Sequence, residues 1–406
     1  MEISDLPKTL AEPFERIERK EIAVIGGGLI GLSTAYAAAV RGQGRVKVSI
    51  YEAAEVGHPD GASSDVSRVF RHLNGPDPTL TTWAKEAWTM WDSLGQLGGS
   101  AILHPIGVLF LVEQGDGTNS KGRHVRPYER AGAWLDDSVR VLNEQKVPYR
   151  RLSAKNLEQL YPQFHSPSIE EAVLDLGAGF LEASKALSVL LDLCLRAGVE
   201  YHPNTRVARV EPTVGGCLLH LEGNREVRAD AVVVAANGWM GDLLPLPPGT
   251  LTLAEQPLVY LTPPEKASDL TPGRMPVFIS LNTDCYGFPV HDGTLKIADD
   301  NPYRPISHPD ERREPEEGYV NRVVEMVSRF IPALKGAVVD RTHVCFYDRS
   351  KDERFILDAW DEDARIVYGC GMSGRAFKFG PVIGERLARF AVSGQRPPDL
   401  AEFRIR

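Results

Sequence analysis

Between Ile22 and Val40 the chain carries no charged side chain, and inside that stretch glycines recur as Gly26-x-Gly28-x-x-Gly31. Two structures compete for such a segment. Roughly 20 apolar residues can span a bilayer as a helix. A β-branched run, a glycine turn and an alanine-rich run instead form the first strand and helix of a nucleotide-binding fold. The flanking residues decide between them. Residues 21 to 25 (EIAVI) read as a buried parallel strand. Residues 29 to 44 read as a helix stopped by glycines, and VKVSIYEA (46 to 53) as a second strand tipped by Glu52. An anchor helix has no use for three glycines in register or for that carboxylate. In the nucleotide fold Gly26 makes the tight turn, Gly28 lets backbone amides approach a pyrophosphate, and Gly31 lets helix and strand pack closely. The pyrophosphate sits on the positive end of the helix. Glu52 accepts hydrogen bonds from the ribose hydroxyls of an adenosine, which disfavours NADP. FAD and NAD both stay open from this stretch alone.

Charge and cysteine usage narrow the partners. The chain has 406 residues, 46 basic and 55 acidic, for a net charge of −9. This balance argues against nucleic acid or an anionic membrane as partner. Five scattered cysteines without a C-x-x-C pair fit a reducing compartment and offer no metal framework. The first 20 residues are polar and charged, including the run Glu18-Arg19-Lys20-Glu21, with no apolar leader core. A cytoplasmic protein, monomer or dimer, is the expectation.

Along the chain, GASSDVSRVFRHLNG (61 to 75) reads as a polar loop carrying two arginines. The segment after it places Trp83, Ala87, Met90, Trp91 and Leu94 at helical spacing, a core face. Residues 101 to 114 look like strands, and 115 to 150 are uninformative. A helix then a strand follow over 177 to 212, and a buried strand ends near Asn237-Gly238. Strand-like runs dominate 251 to 299, and a long charged helix is predicted at 313 to 334. Residues 364 to 394 again read as strand, glycine loop, helix. The nucleotide fold thus surfaces at the start, middle and end of the chain. The expected class is α/β with an α+β substrate domain: an interrupted Rossmann-like FAD-binding domain (18–100, 165–250 and 340–406) with an inserted antiparallel-sheet substrate domain (101–164 and 251–339).

The cofactor choice comes from a resemblance. GMSGRAFKFGPVIGE (371 to 385), HVCFYDRSKDERFILD (343 to 358), CYGFP with GTLKIADD (285 to 300) and SDVSRVFRHLN (64 to 74) occur in the order seen in the sarcosine oxidase family. That family is similar in fold to D-amino-acid oxidases and includes N-methyltryptophan, pipecolate and fructosyl-amino-acid oxidases. The resemblance runs from about residue 20 to 395 and implies FAD, bound covalently through its 8α-methyl to Cys345. Read without it, Cys345 is a small core hydrophobe in a strand. It also implies that Lys296 holds a water near flavin N5 and promotes oxygen reduction, where a fixed cation stabilises developing negative charge. Arg71 and Lys378 match the pair that grips the substrate carboxylate, for which a planar guanidinium is well suited. Arg68 matches the arginine packed against the flavin, and Val207, Gly371 and Gly374 join Gly26, Gly28, Gly31 and Glu52 as cofactor contacts. The last helix, starting near Phe379-Gly380, is expected to aim its positive N-terminus at the flavin pyrimidine.

The pattern departs from the family at two places. Arg375-Ala376 stand where His and Gly are frequent, and Asp299-Asp300 where sarcosine oxidases have Tyr-His. KIADDNP is closer to the pipecolate and fructosyl-amine branch, yet the fructosyl enzymes usually lack the Arg71 equivalent. The implied activity is oxidation of a secondary or cyclic α-amino acid to an imine, with O2 reduced to H2O2. Its alternatives are an FAD-dependent amino acid dehydrogenase passing electrons to a carrier, a fructosyl- or saccharopine-type amine oxidase, and a non-catalytic dinucleotide-binding module.

Overall fold

The computed structural model describes residues 12–14, 20–114, 128–264, 268–301, 303–360 and 362–406. Glu18 and Arg19, and the first part of the 115 to 150 segment, lie outside them. Among the described residues no helix is long and apolar enough to cross a membrane.

The uncharged stretch divides as its glycines require. Lys20–Ile25 is a strand, Leu29–Gly42 a helix, and Val46–Tyr51 a second strand parallel to the first. Gly26 turns with φ +103°, and its N–H donates to the Tyr51 carbonyl at 2.9 Å. A Cβ on Gly31 would fall on the Gly26 carbonyl, so the helix lies against the turn as only glycine permits. These elements join a six-stranded sheet ordered Ile356–Ala359, Ile366–Cys370, Ala231–Val234, Lys20–Ile25, Val46–Tyr51, Glu200–His202. It is parallel except for the pair formed by its first two strands. The helices Leu29–Gly42, Pro78–Leu97, Ala183–Arg196 and Gly380–Ser393 cover it, and their faces form the largest core, including Trp83, Ala87, Met90, Trp91 and Leu94.

A nine-stranded sheet holds the second unit. Its path runs Pro305–Ile306, Leu251–Leu261, Leu295–Asp299, Cys285–Gly287, Val277–Ser280, Val108–Glu113, Ile169–Asp175, Tyr149–Ser153, and Val339–Ser350 pairs along Leu251–Leu261. All neighbours are antiparallel except Val277–Ser280 with Val108–Glu113. The helix Glu317–Ser328 packs into the core on one side of this sheet, and Tyr128–Glu144 into the core on the other.

Three expectations change. The long helix at 313 to 334 shrinks to Glu317–Ser328 followed by a short 3-10 turn, Pro332–Leu334. Pro315 precludes helical conformation in the residue before it, and Pro332 cannot continue the ladder. The loop at 61 to 75 contains a strand, Ser67–Phe70, paired with Gly179–Glu182. Sheet membership also puts Ile169–Asp175 and Val339–Ser350 in the nine-stranded sheet, so the chain changes sheets after about 175 and 350 rather than at 165 and 340.

Candidate functional site

Two adjoining cavities open where the sheets meet. The first, about 360 Å³, lies over the glycine turn and is lined by Gly26, Gly28, Glu52 and Val207 among others. Glu52 closes the turn: its Oε2 accepts from Gly27 N at 2.5 Å and its Oε1 from Ala54 N at 2.9 Å. Each oxygen keeps acceptor capacity for a hydroxyl. The helix that starts here has no side-chain cap at Gly28; Leu29 N donates to Ser63 Oγ at 3.1 Å from outside the helix. A side chain at Gly26 would meet the Ala235 carbonyl at 2.6 Å. Gly31 and Gly371 stand behind the walls and shape the turns.

The second cavity, about 320 Å³, shares Leu29, Ile30, Ala62, Ser63, Asn237 and Met372 with the first. Asn237, left-handed at φ +48° just past a central strand, has its Oδ1 buried with no hydrogen-bond partner on this shared wall. Two connected chambers, an uncapped helix N-terminus, a carboxylate at the second strand tip and this unspent acceptor fit an extended dinucleotide that carries a ring system. The residues therefore fit FAD.

The second cavity gathers Arg68, Arg71, Lys296, Cys345, Gly374 and Lys378 from separate segments. Lys296 projects from Leu295–Asp299, buried, with its ammonium 4.9 Å from the Phe288 ring centre. Burial lowers its pKa, the Asp65 carboxylate raises it and Arg68 lowers it again, leaving it at about 8. Arg68 Nη2 donates to the Ala62 and Ser64 carbonyls at 3.1 Å each, and its guanidinium lies 5.7 Å from the Phe377 ring. Arg71 donates to the Leu73 carbonyl and lies 5.9 and 6.0 Å from the Phe110 and Trp134 rings. Lys378 is buried; desolvation first, then repulsion by Arg71 and Arg375, pushes its pKa well below 10.5. Cys345 Sγ sits 3.8 Å from the Ala62 carbonyl. Burial raises the thiol pKa, and Arg68 pulls it back.

Opposite the cations stands an acidic end. Tyr347 donates to Asp300 Oδ1 at 3.1 Å. Burial and the Asp284 carboxylate push Asp300 up to about 7. The Asp300 side chain is exposed to the cavity, so water moderates that shift until a ligand fills the space. Asp348 supports the glycine loop from beneath, accepting from Gly371 N at 2.7 Å and Met372 N at 3.1 Å.

The residue-level reading passed over Asp65, Asn237 and Asp348. Asn237 ends a buried strand and Asp348 sits in a quoted motif, so position marked both. Asp65 also sits in a quoted motif, but its role comes from strands far away in sequence.

Residues 21–390 match the family described as DAO, FAD dependent oxidoreductase. N-methyl-L-tryptophan oxidase of Yersinia pestis (strain Pestoides F) is 26% identical over 393 residues, covering 95% of this chain and 98% of that protein. Among solved structures, a variant of NikD, an unusual amino acid oxidase essential for nikkomycin biosynthesis, superposes with TM-score 0.78 at 21% identity, over 96% of this chain and 98% of its own. The L-proline dehydrogenase of P. horikoshii gives 0.79 at 18% identity, over 95% and 96%.

Proposed function

Since this chain belongs to the DAO family of FAD-dependent oxidoreductases, we propose that it oxidises a secondary or cyclic α-amino acid to an imine and reduces O2 to H2O2. The observation that carries this reading is the single cavity in which Arg71, Lys378, Lys296 and Cys345 converge beside the dinucleotide chamber. The N-methyl-L-tryptophan oxidase relative supports a secondary amino acid as substrate. FAD, when bound, would supply the two-electron redox chemistry between the substrate's CH–NH group, which loses two electrons and two protons to become C=N, and O2, which gains them as H2O2.

The chain's own residues orient and charge that chemistry. Arg71 is held at the cavity by the Leu73 carbonyl and two aromatic rings, which fixes a planar guanidinium of the kind suited to a carboxylate. Lys378 completes the clamp; an incoming carboxylate offsets the desolvation that lowers its pKa. Asp300, facing both, favours a substrate whose nitrogen end is cationic or hydroxylated. Lys296 offers an N–H to the cavity and fixed positive charge where oxygen gains electrons. Cys345 would hold the flavin covalently through its sulfur.

The test is the visible spectrum of the purified protein and of its acid-precipitated pellet. We expect yellow colour that stays in the pellet and moves to the supernatant in Cys345→Ser. We also expect peroxide release with N-alkyl and cyclic α-amino acids. A colourless protein refutes the flavin reading. Substrate-dependent flavin reduction without peroxide assigns the chain to the dehydrogenases.

A further inference from the structure

Asp65 stands behind the cavity wall with its carboxylate wholly shielded from solvent. Four donors converge on it. Oδ1 accepts from the Tyr260 hydroxyl and from Val66 N at 2.6 Å, while Oδ2 is ion-paired with both Lys296 and Arg68. Burial pushes this carboxyl up, but Lys296, Arg68 and Tyr260 outweigh it and hold it well below the usual range. It is therefore an anion at neutral pH.

Lys296 has three N–H donors. One goes to Asp65 Oδ2 and one to the Ser67 carbonyl at 2.7 Å. Its side chain lines the cavity, so one N–H is left for a single acceptor there. Among the described residues, the titratable groups that face Lys296 from the strands packed against it carry no negative charge at neutral pH. On Leu251–Leu261, Tyr260 is directly opposite Lys296 and its phenol is raised by burial and by Asp65. On Cys285–Gly287, burial likewise keeps Tyr286 protonated. On Val339–Ser350, Cys345 is a thiol, and burial lowers His343 into its neutral form. Arg68, on Ser67–Phe70, repels. Asp65 is thus the anion in contact with Lys296.

We infer that Asp65 is a positioning residue: by anchoring the Lys296 ammonium it keeps that group protonated and leaves one N–H aimed at one acceptor in the cavity. The role of Lys296 rests on the flavin reading above; the effect of Asp65 on it does not. The pKa of Lys296, about 8, is below the ordinary lysine value of 10.5. Hence the native state gains stability as pH rises through that interval and loses it again as pH falls. Asp65→Asn removes the group that raises the pKa, so the transition moves to lower pH.

The experiment measures melting temperature against pH for the protein as purified, each variant taken as a difference from Lys296→Met. We expect a rise starting near the Lys296 transition, displaced downward by roughly one to three pH units in Asp65→Asn. Asp65→Glu should restore it in part. The visible spectrum of the flavin-bound protein should titrate over the same interval, with the same displacement and none in Lys296→Met. An undisplaced rise in Asp65→Asn overturns the inference while leaving the flavin reading intact. A colourless protein refutes the flavin reading, and the melting curves still decide this one. Should Asp65→Asn not fold, Tyr260→Phe removes one donor from the carboxylate and strengthens its hold on Lys296. A smaller upward displacement is then expected, and a curve matching the wild type refutes the role.

Discussion

Arg71 shows how one side chain can be prepared for its ligand. Its guanidinium donates to the Leu73 carbonyl and, at 3.5 Å, to Asn74 Oδ1, with aromatic rings on two sides. Little rotamer freedom remains to be lost when a carboxylate arrives. Arg71→Ala should therefore raise KM for carboxylated substrates by one to two orders of magnitude, about 1.5–3 kcal/mol, with a smaller effect on kcat. Arg71→Lys should recover part of this, because an ammonium supplies charge without the planar fork. Steady-state kinetics on a substrate and its decarboxylated analogue check the assignment; equal KM changes for both would remove Arg71 from the clamp. Arg71 and Lys296 were singled out by the resemblance; by residue type alone they read as a solvated loop arginine and a surface lysine in a strand. Asp65 was quoted in the same motif as Arg71 and passed over. An aspartate in a serine-rich loop reads as solvated, and only the tertiary contact of Lys296 with that loop makes it this lysine's counterion.

At the scale of elements, glycine turns were readable and lengths were not. The first strand, turn and helix fall where the three glycines place them, because a missing Cβ is a constraint visible at one position. The long charged helix predicted over 313 to 334 ran past two prolines, and the observed helix is Glu317–Ser328. The strand Ser67–Phe70 could not be read at all, since its partner Gly179–Glu182 lies more than a hundred residues away. Two glycines in helices separate the cases. A Cβ at Gly31 collides with the Gly26 carbonyl, backbone against backbone, whereas one at Gly132 meets nothing within 4 Å. Gly31→Ala should destabilise by about 1–3 kcal/mol through overpacking and weaken flavin binding as the turn shifts. Gly132→Ala should stabilise by up to about 1 kcal/mol. Chemical denaturation of both variants, with flavin titration of the first, tests this; a neutral Gly31→Ala would mean the helix relaxes freely.

Across the whole molecule, the six-stranded sheet joins segments from the start, middle and end of the chain. Ile366–Cys370 and Lys20–Ile25 flank the same central strand, and Lys20 Nζ donates to the Ala391 and Val392 carbonyls at the end of the last helix. Deeper in, the carboxylate of Glu385 is fully buried and paired with Arg41 of the first helix and with Arg386 and Arg389 of its own. Arg386 reaches on to Glu86 at 2.6 Å and Asp399 at 2.8 Å. Burial lowers the Arg41 pKa, and Arg389 and Arg386 lower it further, to about 10. Glu385 is thus the charge that allows these arginines to lie together inside the protein. Glu385→Gln keeps the shape and removes the buried carboxylate that Arg41, Arg386 and Arg389 share. We expect a loss of about 3–5 kcal/mol, the usual cost of breaking a buried pair. Arg389→Ala, partly exposed, should cost far less. Calorimetry with and without added FAD separates two effects. If Glu385 joins the ends that form the cofactor chamber, Glu385→Gln should both melt at lower temperature and bind FAD more weakly. A lower melting temperature with undiminished FAD affinity would show that the chamber closes without this link between the first and last helices.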